Sequence, residues 1–371
     1  MKIALVCDWY LPRVGGIERQ LTQLARHLAT AGHDVTVITP TRGTAGDADE
    51  TGVRLQRLDV PLLPGIGLIW TPRGFRALAA ALRAGNFDVV HAHSSIVSPA
   101  AYAAVSLGAK LGLPTAVTVH SIWGRYRHAF HALDRFERWS RWPVAFSAVS
   151  ERAAREIRPF VSPRPIDIVP NAIVPAEWQV ARQPPAAFVA IACVMRLAPR
   201  KRGAVLLRAL RAALDHLPTD VRVRLEIAGD GAERRRLARL ARQLGLGESV
   251  QFLGILDVRG VKALLARSHF FVLPTAAESF GIAALEARTA GLPVVAMRAS
   301  GVTEFIAHGR EGVLANDDRE LAQHLARLCT DAAEREAIAH HNESTPVTLT
   351  WDRSLAAHLA LYARARELAR H

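Results

Sequence analysis

Two glutamates, Glu278 and Glu286, stand eight residues apart in the stretch TAAESFGIAALEARTAGLPVVA, residues 275–296. The first precedes Ser279, Phe280 and Gly281 at the start of an Ala-rich helical run, and the second lies about two turns inside it. An acid just before a helix can be a simple cap. Glu286, however, sits among apolar neighbours directly ahead of a Val-rich strand, where a carboxylate needs hydrogen-bond donors. Vicinal hydroxyls supply such donors in pairs. The amides of Phe280 and Gly281, at the positive end of the helix dipole, suit a phosphate or a hydroxyl oxygen. Upstream, VMRLAPRKRG puts Arg196 at a strand end and Lys201 just before the next helix. A guanidinium and an ammonium arriving from two points can grip a diphosphate, the first bidentately and the second as a point charge. Arg200 and Arg202 flank Lys201 and read equally as solvated charges. Near the N-terminus, Gly15 and Gly16 precede a helix and allow close backbone approach to an anion, although such a turn is as often structural.

These residues need rigid elements to hold them. Short apolar runs alternate with amphipathic stretches: KIALVCD, HDVTVITP, VRLQRLD, DVVHAHS, PTAVTVH and AFSAVS, then VAIACVMRL, VRLEIAGDG, SVQFLGIL, HFFVLPT, LPVVAMR and GVLAN. Continuous Val/Ile/Ala runs joined by helices predict buried parallel strands. A Pro-rich, aperiodic segment over residues 170–188 divides the series and predicts an interdomain linker. The expected organisation is two α/β parallel-sheet domains, followed by an amphipathic helix over residues 351–371. In such sheets ligands bind beyond the carboxyl ends of the strands, where every candidate residue falls.

Composition narrows the function classes. The formal net charge is +13, with 47 Lys and Arg against 34 Asp and Glu. Only Lys2, Lys110, Lys201 and Lys262 are lysine, so arginine carries the excess, spread along the chain without aromatic interleaving. That pattern argues against a single-strand nucleic-acid binder. Three scattered cysteines build neither a metal site nor a disulfide framework, which predicts a reducing compartment. The first apolar run is too short for a signal peptide, and no run of eighteen apolar residues predicts a membrane span. His91 and His93 lie two apart on a strand, but no third metal ligand accompanies them. Neither half carries G-x-G-x-x-G with a following ribose-binding acid, which argues against a dehydrogenase.

The segment ESFGIAALEARTAGLPVV resembles the Glu-x7-Glu signature of the retaining family 4 glycosyltransferases. The likeness extends in order through CDWYLPRVGGIERQL, FDVVHAHSS, AVTVHS, AVSERAAREI, IVPNAI, RLAPRKR, IAGDG, VQFLGIL and EFIAHGREGVL. It implies the GT-B fold, in which two Rossmann-like domains face each other. Residues 1–170 would bind the acceptor, 171–188 would link, 189–350 would bind a UDP- or GDP-sugar donor, and 351–371 would cross back to the first domain. The resemblance assigns the transferred sugar's hydroxyls to Glu278 and the nucleotide ribose to Glu286. Arg196 and Lys201 would neutralise the diphosphate, helped by backbone at Gly15, Gly16, Ser279, Phe280 and Gly281. His120 would lie beside the donor sugar. No cofactor and no metal is implied, since no Asp-x-Asp motif stands in a suitable place. Retention without an evident nucleophile implies front-face attack, with covalent participation of Glu278 as the other route. In the family's G-R-L pattern, Met195 replaces the usual glycine.

For the acceptor, residues 61–83 join an apolar loop that reads as exposed, containing Leu63, Ile66, Leu68, Ile69 and Trp70, to a helix bearing Arg73, Arg76 and Arg83. Apolar residues beside cations suit the surface of an anionic bilayer. After His120, SIWGRYRHAFH places Arg125 and Arg127 where an anionic acceptor would be met, and the spacing from His120 to Arg125 resembles that of a basic residue in the phosphatidylinositol mannosyltransferases. The N-terminal layout also resembles the phosphatidylinositol N-acetylglucosaminyltransferases. The expected function is hexosyl transfer from a nucleotide-diphosphate sugar to a lipid-linked or phosphorylated acceptor, in the cytoplasm or at the inner membrane face. A nucleotide-sugar epimerase on the same fold and a basic nucleic-acid-binding protein are the competing readings.

Overall fold

The computed structural model describes residues 1–13, 15–43 and 52–370, apart from the side chains of Arg125 and His131. The chain divides into two compact units, Met1–Ala172 with Leu349–His371, and Ile173–Thr348. Residues 173–188 thus count with the second unit, and Trp178, on the short helix Pro175–Trp178, is buried there.

The first unit is built on a seven-stranded sheet. Its strands are β1 (Lys2–Cys7), β2 (Asp34–Thr39), β3 (Val53–Arg57), β4 (Val89–Ser94), β5 (Thr115–Val119), β6 (Val144–Ala148) and β7 (Ile166–Ile168). Their spatial order is β3-β2-β1-β4-β5-β6-β7, and every pairing is parallel. The second unit has a six-stranded sheet of β8 (Val189–Val194), β9 (Val223–Ala228), β10 (Val250–Gly254), β11 (Phe270–Leu273), β12 (Val294–Met297) and β13 (Gly312–Ala315). Its order is β10-β9-β8-β11-β12-β13, again wholly parallel. Both are Rossmann-like sheets. β4, β5, β6, β11, β12 and β13 are buried along their whole length, as helices on both faces require.

Strand order decides where ligands can enter. In each sheet the chain winds outward from the middle in one direction, then returns and winds in the other. The reversal falls between β1 and β4 in the first unit and between β8 and β11 in the second. Loops leaving those neighbouring strands turn to opposite faces, which opens a crevice at their carboxyl ends.

The C-terminal helix, Trp351–Leu368, packs on β5, β6 and the helix Gly16–Thr30 of the first unit. Its anchors are specific. Trp351 stacks on His27 at 4.8 Å, Ser354 Oγ donates to the Pro170 carbonyl at 3.0 Å, and Arg364 reaches both oxygens of Asp167 at 2.8 Å. Tyr362 is fully buried, and its hydroxyl lies 3.0 Å from Nδ1 of His91. The other ring nitrogen of His91 meets Thr118 Oγ1 at 2.7 Å, which meets Ser147 Oγ at 2.7 Å. His93 and His120 are joined at 3.0 Å, and His358 binds the Ser354 carbonyl at 2.7 Å.

Four buried imidazoles therefore share one interior. Burial, reinforced by neighbouring imidazoles, holds His91 and His93 well below the usual histidine range and His120 down at about 3. Burial likewise holds His358 at about 4, against the Ser354 carbonyl, which favours the charged ring. The unfolded chain protonates these groups near pH 6.5, whereas the folded chain resists protonation well below that, His120 to about 3 and His358 to about 4. Their burial therefore carries no penalty at pH 7 and destabilises the fold progressively as pH falls from about 6.5 toward 4. The drop in melting temperature between pH 7 and pH 5 should shrink in His358→Leu relative to the wild type. An unchanged drop, measured by calorimetry at both pH values, would show that this ring is already charged in the folded protein.

Candidate active site

In the second unit, the loop after β8 carries Arg196 and Lys201, and the loop after β11 carries Glu278 to Gly281. These are the two strands at the order reversal. Lys201 Nζ lies 2.5 Å from Glu278 Oε2, both side chains being largely buried. The sequence separation of 77 positions is spanned by other ties as well: Thr275 Oγ1 donates to the Lys201 carbonyl at 3.3 Å, and Arg202 Nη1 donates to the Pro274 carbonyl at 3.0 Å. Arg202 also pairs with Asp318. It is therefore a strut between loops rather than a solvated flank, and it holds a left-handed backbone (φ 59°) at the start of the helix Gly203–Leu214. Arg196 is exposed and has no ion-pair partner among the described residues. A free guanidinium thus stands on the same loop as a paired ammonium.

Glycines let these loops approach closely. A Cβ on Gly229 would lie 2.0 Å from the Met195 carbonyl oxygen, and one on Gly231 would lie 2.4 Å from that of Leu197. Both glycines hold positive φ, so the AGDG turn seats its bare backbone against the exit of β8. Met195 turns away from the loop surface. It is buried in the core with Leu206, Leu207 and Leu237, and its Cε approaches Gly203. Its bulk replaces core volume and leaves the Arg196 side of the strand end unobstructed.

The helix Ile282–Thr289 begins after Gly281 (φ 95°) with no side-chain cap. The backbone before it is fixed from behind. Gly301 N donates to the Glu278 carbonyl at 2.8 Å, and a Cβ on Gly301 would lie 2.1 Å from the Ser279 carbonyl. Phe280 is buried and packs its ring 5.4 Å from that of Phe305. Glu286 is 4% exposed on the same helix, whose neighbours Ala284, Leu285 and Ala287 are also buried.

In the first unit, β1 ends in Asp8, a buried carboxylate absent from the sequence-based candidates. It accepts from the amides of Ala100 at 2.9 Å and Ala101 at 3.2 Å, at the start of the helix Pro99–Lys110. Burial raises its carboxyl to about 7, against those amides and Ser98, which favour the charged form. The signal was present in the sequence as an acid directly after a buried strand beside the order reversal. Gly15 caps the helix Gly16–Thr30 in an extended conformation. Glu18 folds back toward it, with Oε2 2.3 Å from where a Gly15 Cβ would stand, and pairs with Arg13 at 3.5 Å. An acid of the chain itself therefore already faces that helix terminus. His120 is 8% exposed just beyond β5, and its amide donates to the Ser94 carbonyl at 2.9 Å. His91 and His93 engage Tyr362, Thr118 and His120, and among the described residues no group of three ligands could hold a metal.

The acceptor-side candidates separate. Arg127 is exposed at the start of the helix Arg127–Glu137, while the side chain of Arg125 lies outside the described set. Arg73 and Arg76 are exposed on the helix Pro72–Ala84, with Trp70 58% and Ile66 51% exposed beside them. The expected apolar loop needs one correction: Leu68 and Ile69 are buried, 4% and 2% exposed. Ile69 joins the first unit's core, and Gly74 makes room for its Cγ2. No helix among the described residues is long and apolar enough to cross a membrane.

Comparison with known proteins identifies the architecture. Two family models match in succession, Glycosyltransferase Family 4 over residues 14–177 and Glycosyl transferases group 1 over residues 179–344. The glycogen synthase of Mycobacterium tuberculosis is 30% identical over 405 residues, spanning 99% of this chain and 95% of that one. The phosphatidylinositol N-acetylglucosaminyltransferase gpi3 subunit of Schizosaccharomyces pombe is 25% identical over 345 residues, spanning 88% of this chain and 72% of that one. Among solved structures, Anabaena HepE in complex with UDP and glucose has a TM-score of 0.73 at 19% identity, over 97% of this chain and 98% of that one. That likeness speaks for the fold, which is of the GT-B type. With two adjoining family models over most of its length and a relative that matches nearly end to end, the chain belongs to the family 4 glycosyltransferases.

Proposed function

We propose that the protein transfers a hexosyl group, with retention, from a nucleoside-diphosphate sugar to a hydroxyl of a lipid-linked or phosphorylated acceptor. The observation that carries this reading is the 2.5 Å contact between Lys201 and Glu278. One partner suits a diphosphate and the other suits sugar hydroxyls, and they meet where neighbouring strands diverge. Before the donor arrives, each compensates the other's charge. A bound donor would part them, its diphosphate taking Lys201 and Arg196 and its hydroxyls taking Glu278. Glu286 would take the ribose. The amides about Phe280 and Gly281 would add uncharged donors to phosphate oxygens.

Bond breaking at the anomeric carbon leaves charge on the departing diphosphate. Arg196 and Lys201 stabilise that charge as it develops, without a divalent ion. Attack from the same face lets the departing phosphate accept the acceptor's proton, with Glu278 as a covalent relay in the other retaining route. His120, which burial holds at about 3, would offer an uncharged hydrogen-bonding group on the acceptor-binding unit. On the acceptor side, exposed Ile66 and Trp70 next to Arg73 and Arg76 would rest on an anionic bilayer surface.

A thermal-shift panel of UDP, GDP and ADP with their sugar conjugates should single out one nucleotide by a raised melting temperature. Arg196→Ala and Lys201→Ala should each weaken that nucleotide by roughly 1.5 to 3 kcal/mol, the worth of a charge-assisted contact, about 10- to 100-fold. Glu278→Ala should abolish transfer while the nucleotide's shift persists, and chelation by EDTA should leave wild-type transfer unchanged. Wild-type transfer in all three variants would refute the site.

The membrane reading has its own measurement. Co-sedimentation with vesicles containing anionic lipid should exceed that with neutral vesicles, and Arg73→Glu with Arg76→Glu should abolish the difference. Equal recovery from both vesicle types would refute it.

A further inference from the structure

The first unit contains a cavity of about 80 Å³ under the helix Arg127–Glu137 that none of the assignments above uses. Its wall is aromatic and aliphatic. Trp123 stacks on Phe130 at 3.9 Å, Trp139 closes on Trp123 edge-on at 6.1 Å, and Val105 comes from the opposite helix. Ser94 and Glu137 are the ionisable or hydroxyl-bearing exceptions besides Tyr102, whose hydroxyl is engaged with the Ser95 carbonyl at 2.7 Å. A water takes roughly 30 Å³ of liquid volume and needs two to four polar partners. A cavity walled in this way suits a few methylene groups instead.

Three further observations indicate what enters. Trp123 is 3% exposed, and its Nε1 is buried with no acceptor among the described residues, a donor that calls for an oxygen. The lid helix is inverted on its outer side: Phe136 is 85%, Leu133 46% and nearby Tyr126 44% exposed. Leu133 belongs both to that outer surface and to the cavity wall. Finally, residues 124–142 hold five arginines against two acids, and Arg127, Arg135, Arg138 and Arg141 are exposed. Apolar surface, an apolar cavity and an excess of cations in one segment are complementary to an anionic amphiphile. The position is also apt, because Trp123 is three residues beyond His120, and Ser94, on the wall, accepts the His120 amide at 2.9 Å.

We infer that this cavity binds a segment of the hydrocarbon chain of an anionic lipid, with Trp123 Nε1 donating to an oxygen near its head group and the exposed arginines facing the charge. The inference rests on the transferase reading only in taking that lipid to be the acceptor. It names the acceptor by chemistry: an amphiphile with an anionic head and an apolar chain, whose reacting hydroxyl would be carried toward His120.

The test uses the full chain and octyl phosphate below its micellar concentration, titrated calorimetrically, with octyl glucoside and inorganic phosphate as separate arms. Octyl phosphate should bind saturably at one per chain, octyl glucoside more weakly, and inorganic phosphate not measurably. Leu133→Trp, which fills the cavity from its exposed side, should weaken octyl phosphate at least tenfold. Val105→Leu, which adds one methylene from the opposite wall, should weaken it at least threefold. Both variants should keep the wild-type melting shift with the preferred nucleotide. Equal affinity for inorganic phosphate, no saturable binding of octyl phosphate, or unaltered affinity in both variants would overturn the inference. A wild type that responds to no nucleotide would strike the donor assignment alone and leave the cavity result standing.

Discussion

The reversal of strand order between β8 and β11 is the constraint on which the proposed donor-side chemistry depends. Two neighbouring parallel strands send their loops to opposite faces, so the backbone itself leaves a gap at their carboxyl ends. Lys201 and Glu278 reach across it and meet. Such a partly buried pair adds little net stability, because removing two charges from water offsets most of their attraction. Its consequence is positional. Each charge is held in place by the other and by the struts from Arg202 and Thr275, so neither needs a ligand to be ordered. A donor that satisfies both exchanges one set of charge contacts for another, and little conformational entropy remains to be lost on binding.

The first unit solves a different problem. Its C-terminal helix returns to the sheet through polar as well as apolar contacts: Tyr362 joins a hydrogen-bonded chain through His91, Thr118 and Ser147, beside the pair His93–His120 and the ring of His358. Such a network is stable only while its members stay uncharged and each hydrogen bond is made. That requirement explains why the helix is pinned by Ser354, Arg364 and Trp351 on three sides: a small displacement would leave buried ring nitrogens without partners. One is already so, since His93 Nε2 has no partner among the described residues.

Much of this was legible in the sequence. Most strands of the two alternating series are readable because buried parallel strands are apolar runs, as in β1, β8 and β11, whereas the sheet-edge strands β3 and β10 mix polar residues with apolar ones. β7 escaped because Ile166–Ile168 is three half-buried residues flanked by prolines, too short to show a period. The contact between Lys201 and Glu278 was not legible as a contact, since they lie 77 positions apart and only the strand order brings them together. Leu68 and Ile69 were misread for the opposite reason. Their loop looks exposed by composition, but Leu62 bridges Ile69 and the bare face of Gly74 admits its side chain. Met195, which replaces the family's usual glycine beside Arg196, places its bulk in the core, a packing that sequence alone does not reveal. Asp8 was overlooked because an acid after a strand is commonly solvated, and only the helix amides of Ala100 and Ala101 explain its burial.

The contrast between a charged donor half and an uncharged interior beside His120 has a chemical logic under the proposed transfer. Cleavage of a glycosidic carbon–oxygen bond develops negative charge on the leaving group and positive, oxocarbenium-like charge on the sugar ring. Fixed cations help only where the negative charge grows. Lys201 and Arg196 are suited to that side. On the ring side a protonated imidazole would repel the developing charge, and a hydrogen-bonding group without charge is wanted. Burial among other imidazoles holds His120 at about 3, so the ring is uncharged near neutral pH. The histidine cluster is costly in acid, but under the proposed transfer it would supply a polar, directional group whose charge could not oppose the reaction.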